Sequence, residues 1–64
     1  MKHETINGVD CYGTAAPGMN YELVYDDEYR DGIATDITAI TWAGVIDQLN
    51  NNNLLDDLVQ ITAV

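Results

Sequence analysis

The chain has 64 residues, two basic side chains against eleven acidic ones, a formal net charge of −9 and a 47% share of hydrophobic residues. That length allows one core and no second domain. The charge excludes ordinary nucleic-acid binding through phosphate contacts and attraction to anionic membranes, and the hydrophobic share excludes a disordered acidic tail.

One cysteine, Cys11, and one histidine, His3, leave no internal disulfide and no Cys/His set for zinc, so the core must hold alone. In chain order, the segment from His3 to Tyr12 predicts a hairpin. Asn7-Gly8 accepts positive φ at both central positions of a type I′ turn, which sets His3 opposite Tyr12 and Glu4 opposite Cys11. Pro17-Gly18 marks a turn after it. From Asn20 to Glu28 the residues alternate, with Tyr21, Leu23 and Tyr25 on the face toward the core and Glu22, Asp26 and Glu28 on the other.

The stretch from Ile33 is rich in β-branched residues, and Asp31-Gly32 resembles a second hairpin turn. A tight turn there would oppose Asp27 to Asp36, however, so the reading goes to a helix near 36–50. Ala39, Trp42, Ala43, Ile46 and Leu49 form its apolar stripe, which makes Trp42 a core residue, and Asp36 is its expected N-cap. Asn50 to Asn53 supply a stop in which one asparagine takes the left-handed C′ conformation. Leu54 to Leu58 reads as a connection that can include a helical turn, and 58–63 as a closing strand with Val59, Ile61 and Ala63 on one face. The expected fold is α+β: one small domain over residues 1–64, whose antiparallel sheet (the N-terminal hairpin plus strands near 20–28 and 58–63) is covered on one face by that single helix.

The catalytic inventory is poor. The expected hairpin register sends His3 and Cys11 to opposite faces and places Glu4 beside the thiol, which keeps it protonated. There is no serine and no glycine-rich phosphate loop. Asp27 to Gly32 begins like a calcium loop, but Tyr29 stands where a carboxylate is needed, Thr38 where the bidentate glutamate belongs, and Arg30 repels a cation. The expectation is therefore no enzyme, no cofactor and no metal. The run behind Met1-Lys2-His3-Glu4 is not an apolar leader, and the uncharged run from Ile37 to Val45 is too short to span a bilayer, so a cytoplasmic protein is expected.

The acidity is the feature to explain. Alternate residues on a strand recur about every 6.7 Å, roughly twice the axial phosphate spacing of one DNA strand. Glu22, Asp26, Asp27, Glu28 and Asp31, with Tyr29 as an aromatic anchor, are the candidate partner-binding residues. In size, acidity and element order the chain resembles the very small acidic proteins that bacteriophages use against host defence, particularly the anti-CRISPR proteins. No residue motif carries over. The resemblance implies a phage-encoded inhibitor, monomeric or weakly dimeric, in the host cell cytoplasm. It would dock on the basic channel of a nucleic-acid-binding complex such as a CRISPR effector and mimic DNA without binding nucleic acid itself. The rival classes are an immunity or antitoxin-like interaction module and a phage accessory or structural protein whose sheet edge self-pairs.

Overall fold

A computed structural model of the chain describes residues 3–27 and 30–64. It shows an α+β fold in which β1 (His3–Ile6), β2 (Val9–Tyr12), β3 (Tyr21–Tyr25), β4 (Asp31–Ala34) and β5 (Leu58–Ala63) form one sheet, and α1 (Trp42–Asn51) packs on one side of it. The sheet order is β1-β2-β5-β3-β4.

The first hairpin has the register that its turn dictates. Asn7 (φ 52) and Gly8 (φ 79) take the left-handed values of a type I′ turn, with His3 opposite Tyr12 and Glu4 opposite Cys11. The expected alternation in β3 also holds: Tyr21, Leu23 and Tyr25 are buried while Glu22 is exposed.

Three expectations need correction. The sheet is mixed, because β5 runs parallel to β2 and antiparallel to β3. Residues 31–34 form a strand, so the helix begins at Trp42 and not near residue 36. The opposition of Asp27 to Asp36 that argued against this strand belongs to a two-residue turn at Asp31-Gly32. The actual hairpin closes over residues 26–30 and pairs Val24 with Asp31 and Tyr21 with Ala34, so the clash never arises. Asp36 itself sits in the left-handed region at φ 62, and Thr41 is the N-cap, its Oγ1 accepting from the Gly44 N–H at 3.2 Å. Thirdly, β5 does not alternate evenly. Val24 pairs with Gln60 and Tyr25 with Leu58, which leaves Val59 as a bulged extra residue, so Leu58 and Ile61 are buried and Val59 is exposed.

Of the expected helix stripe, Trp42, Ile46 and Leu49 are buried and Val45 joins them, whereas Ala43 is exposed and Ala39 lies half-buried before the helix begins. Trp42 meets Tyr21 edge-on at 5.5 Å and donates its indole N–H to the Gly13 carbonyl at 3.2 Å. The asparagine stop is a Schellman motif: Asn53 takes φ 59, its N–H bonds the Asn50 carbonyl at 3.1 Å, and the Leu54 N–H bonds the Leu49 carbonyl at 2.9 Å. Residues 55–58 form a reverse turn, closed by the Leu58 N–H on the Leu55 carbonyl at 3.1 Å, with Asp57 at φ 65.

Gln48 ties the helix to the segment before it, its Oε1 accepting from the N–H groups of both Thr38 and Ala39 at 3.0 Å. Gly44 allows the same closure, since a Cβ there would stand 2.9 Å from the Ala39 Cβ. Ile61, Cys11 and Leu23 lie side by side on the helix side of β5, β2 and β3, the first two fully buried, and join the two hairpins into one core.

Candidate functional site

Because α1 covers one side of the sheet, the alternation of each strand sends the other half of its side chains to an uncovered side. The strand registers align these into two cross-strand rows. One runs Thr5, Asp10, Gln60, Val24, Asp31, and the other His3, Tyr12, Thr62, Glu22, Ile33. Strands lie about 4.8 Å apart, so Asp10 and Asp31, three strands distant, are separated by roughly 14 Å. Glu22 stands between them in the next row. A shallow depression of about 290 Å³ opens where Glu22, Val24, Asp31 and Ile33 meet.

At the β1–β2 end of this face the side chains are organised by contacts of their own. The His3 ring stacks on Tyr12 with centroids 4.7 Å apart, its Nε2 lies 3.3 Å from Asp10 Oδ1, and the Thr5 hydroxyl donates to the same oxygen at 3.0 Å.

The remaining acidic candidates gather at one end of the sheet. Asp26 and Asp27 follow β3 and are exposed. The Asp26 N–H bonds the Asp57 carbonyl at 2.8 Å, which draws the Asp56-Asp57 turn alongside, so two acidic segments thirty residues apart adjoin. Arg30, whose N–H bonds the Asp27 carbonyl at 3.0 Å, turns its guanidinium over the Tyr25 ring at 4.2 Å and donates to the Asp56 carbonyl at 3.3 Å. The Tyr25 hydroxyl in turn donates to the Leu54 carbonyl at 2.6 Å.

Of the residues singled out in the sequence, Glu22 and Asp31 lie on the uncovered face and Asp26 and Asp27 at its adjoining end. Glu28 and Tyr29 fall outside the described residues. Three acidic neighbours escaped the sequence reading: Asp10, Asp56 and Asp57. A signal for two of them was present, since Asp-Asp follows β3 and Asp-Asp precedes β5, and antiparallel pairing of those strands must put both pairs at the same end.

The thiol is the one buried group with chemistry of its own. Burial, with the charges of Glu4 and Asp10 adding to it, pushes Cys11 up from 9.0 to about 11, so at neutral pH it is a protonated packing group. It lies on the helix side, whereas the His3 ring stacks on Tyr12 on the uncovered side. Among the described residues no cluster of three or more His, Cys, Asp or Glu side chains could hold a metal ion, and no helix is long and apolar enough to cross a membrane. No protein-family model, curated protein or solved structure matches the chain.

Proposed function

We propose that the chain is a non-enzymatic inhibitor that sets its acidic end and uncovered sheet face against the basic, nucleic-acid-binding surface of a host protein complex in the cytoplasm. This is the mode of action that its resemblance to phage anti-defence proteins implies. The observation that carries the reading is the convergence of Asp26, Asp27, Asp56 and Asp57 at one end of a sheet whose adjoining face carries Glu22 and Asp31. A net charge of −9 repels itself and weakens the compact state, a cost that an arginine- and lysine-lined groove would offset on binding.

The test uses charge-matched double variants. Asp26→Asn with Asp57→Asn removes two charges from the acidic end, and Asp36→Asn with Asp47→Asn removes two from elsewhere; asparagine tolerates the left-handed backbone at 36 and 57. The tagged protein should retain a nucleic-acid-binding protein from bacterial lysate and release it to short duplex DNA or RNA. The first variant should bind that partner at least about tenfold more weakly, while the second binds nearly as well as the parent. Equal losses from both variants would reduce the acidity to a general field. A partner that nucleic acid does not displace would favour an immunity or antitoxin-like module.

A further inference from the structure

β1 is an edge strand, at the opposite side of the sheet from β4. A two-residue turn makes its flanking residues, Ile6 and Val9, a hydrogen-bonded pair, and the alternation of an antiparallel ladder makes Glu4 and Cys11 the next one. His3 and Thr5 are therefore left with backbone N–H and C=O groups directed outward. His3, Glu4 and Thr5 are all exposed, and the strand contains no proline or bulge to block pairing.

Beside this edge, on the helix side, a groove of about 740 Å³ runs between β1, residues 13–15 and the start of α1, and its lining includes Glu4, Ala15, Ile40, Trp42 and Ala43. Ile40 is 73% exposed there, the most exposed large apolar side chain among the described residues. The Glu4 carboxylate has no hydrogen bond or ion pair among the described residues.

We infer that the β1 edge and this groove together receive an extended, arginine-bearing segment of a partner protein as an additional strand. A residue paired with Glu4 points, like Glu4, to the helix side. An arginine in that position lays its aliphatic stem along the Ile40 and Ala43 side of the groove and brings its guanidinium to the Glu4 carboxylate, while the residues on either side of it exchange main-chain hydrogen bonds with His3 and Thr5. The net charge of −9 selects a basic strand and disfavours a second copy of this chain on the same edge. This surface is separate from Asp26, Asp31 and Asp57 and stands or falls independently of the function proposed above.

The probe is the end-blocked peptide Thr-Arg-Thr-Arg-Thr-Arg-Thr, titrated into the isotope-labelled full chain at about 0.15 M salt and followed by NMR. Amide shifts should move at His3, Thr5 and residues 40–43. N-methylation of the peptide's threonines removes the donors that face β1 and should weaken binding at least about tenfold, whereas N-methylation of its arginines should change it little. Glu4→Gln should cost about three- to tenfold, and Asp26→Asn with Asp57→Asn less than about twofold, since charges beyond about 8 Å are screened at this salt. Absence of binding, shifts centred on Asp26, Asp31 and Asp57, or equal affinity for the threonine-methylated peptide would each overturn the inference.

Discussion

The two hairpins of this sheet are held in register by different means. β1 and β2 are joined by Asn7-Gly8, whose left-handed dihedrals allow only one pairing, and β1 itself is almost wholly exposed. β3 and β4 are joined across residues 26–30, a connection that fixes no pairing alone, but β3 is enclosed between β4 and β5 and buries Tyr21, Leu23 and Tyr25 against the helix side. A slip of one residue would turn Glu22 and Val24 inward. One register is thus written into the turn and the other into the core, so disturbances of turn and core should fall unequally on the two hairpins.

The largest expected effect comes from Ile61→Ala. Ile61 is fully buried between Cys11 and Leu23, at the seam where β5 joins both hairpins. Its truncation should cost about 2–5 kcal/mol, and chemical denaturation should show both hairpins lost in one transition. Persistence of either hairpin after the other has melted would show them to be independent units.

A smaller and local effect is expected of Gly8→Ala. An added Cβ meets nothing within 4 Å, so the cost is only that of holding alanine at φ 79, about 1–2 kcal/mol. Hydrogen exchange should quicken at Glu4 and Ile6, whose N–H groups face β2, and remain slow in Tyr21–Tyr25. Uniform acceleration would mean that the first hairpin is not locally specified.

The effect that is smallest at neutral pH appears only in the alkaline range. Cys11 has its folded pKa raised from 9.0 to about 11 because the thiolate is disfavoured in the core, so the unfolded chain loses this proton first as pH rises. The stabilisation that the thiol contributes is complete below pH 9 and withdrawn between there and about 11. Urea midpoints compared for the parent and Cys11→Ala should diverge below pH 9 and converge above it. A constant difference across that range would place the thiol in contact with solvent.

The parts of this molecule that were legible in its sequence are those whose cause is local. The Asn7-Gly8 turn gave the first register to the residue, the spacing of Trp42, Ile46 and Leu49 gave the helix though not its start, and the asparagine run gave its left-handed stop. β4 was missed because its four residues include only one that is buried, Ala34, and because pairing was judged from a turn the chain does not use. The parallel pairing of β2 with β5 has no local signature at all, and the bulge at Val59 depends on the same distant contact. For the candidate site, Glu22 is legible through strand alternation, whereas Asp31, expected at a turn, owes its place on the face to β4. The approach of Asp56-Asp57 to Asp26 required knowing that β5 lies beside β3.

The position of β5 has a consequence for synthesis. It stands at the centre of the sheet yet follows every other element in the chain, so its partners β2 and β3 leave the ribosome long before it. Until Leu58–Ala63 has emerged, each hairpin keeps an inner edge that has nothing to pair with, and the core seam at Ile61 is missing. Translation at about 5–20 residues per second makes that interval a matter of seconds. During it, those inner edges are open to the edges of neighbouring nascent copies. The same negative charge that the finished fold carries on its surface is already present along the growing chain, where it holds such copies apart.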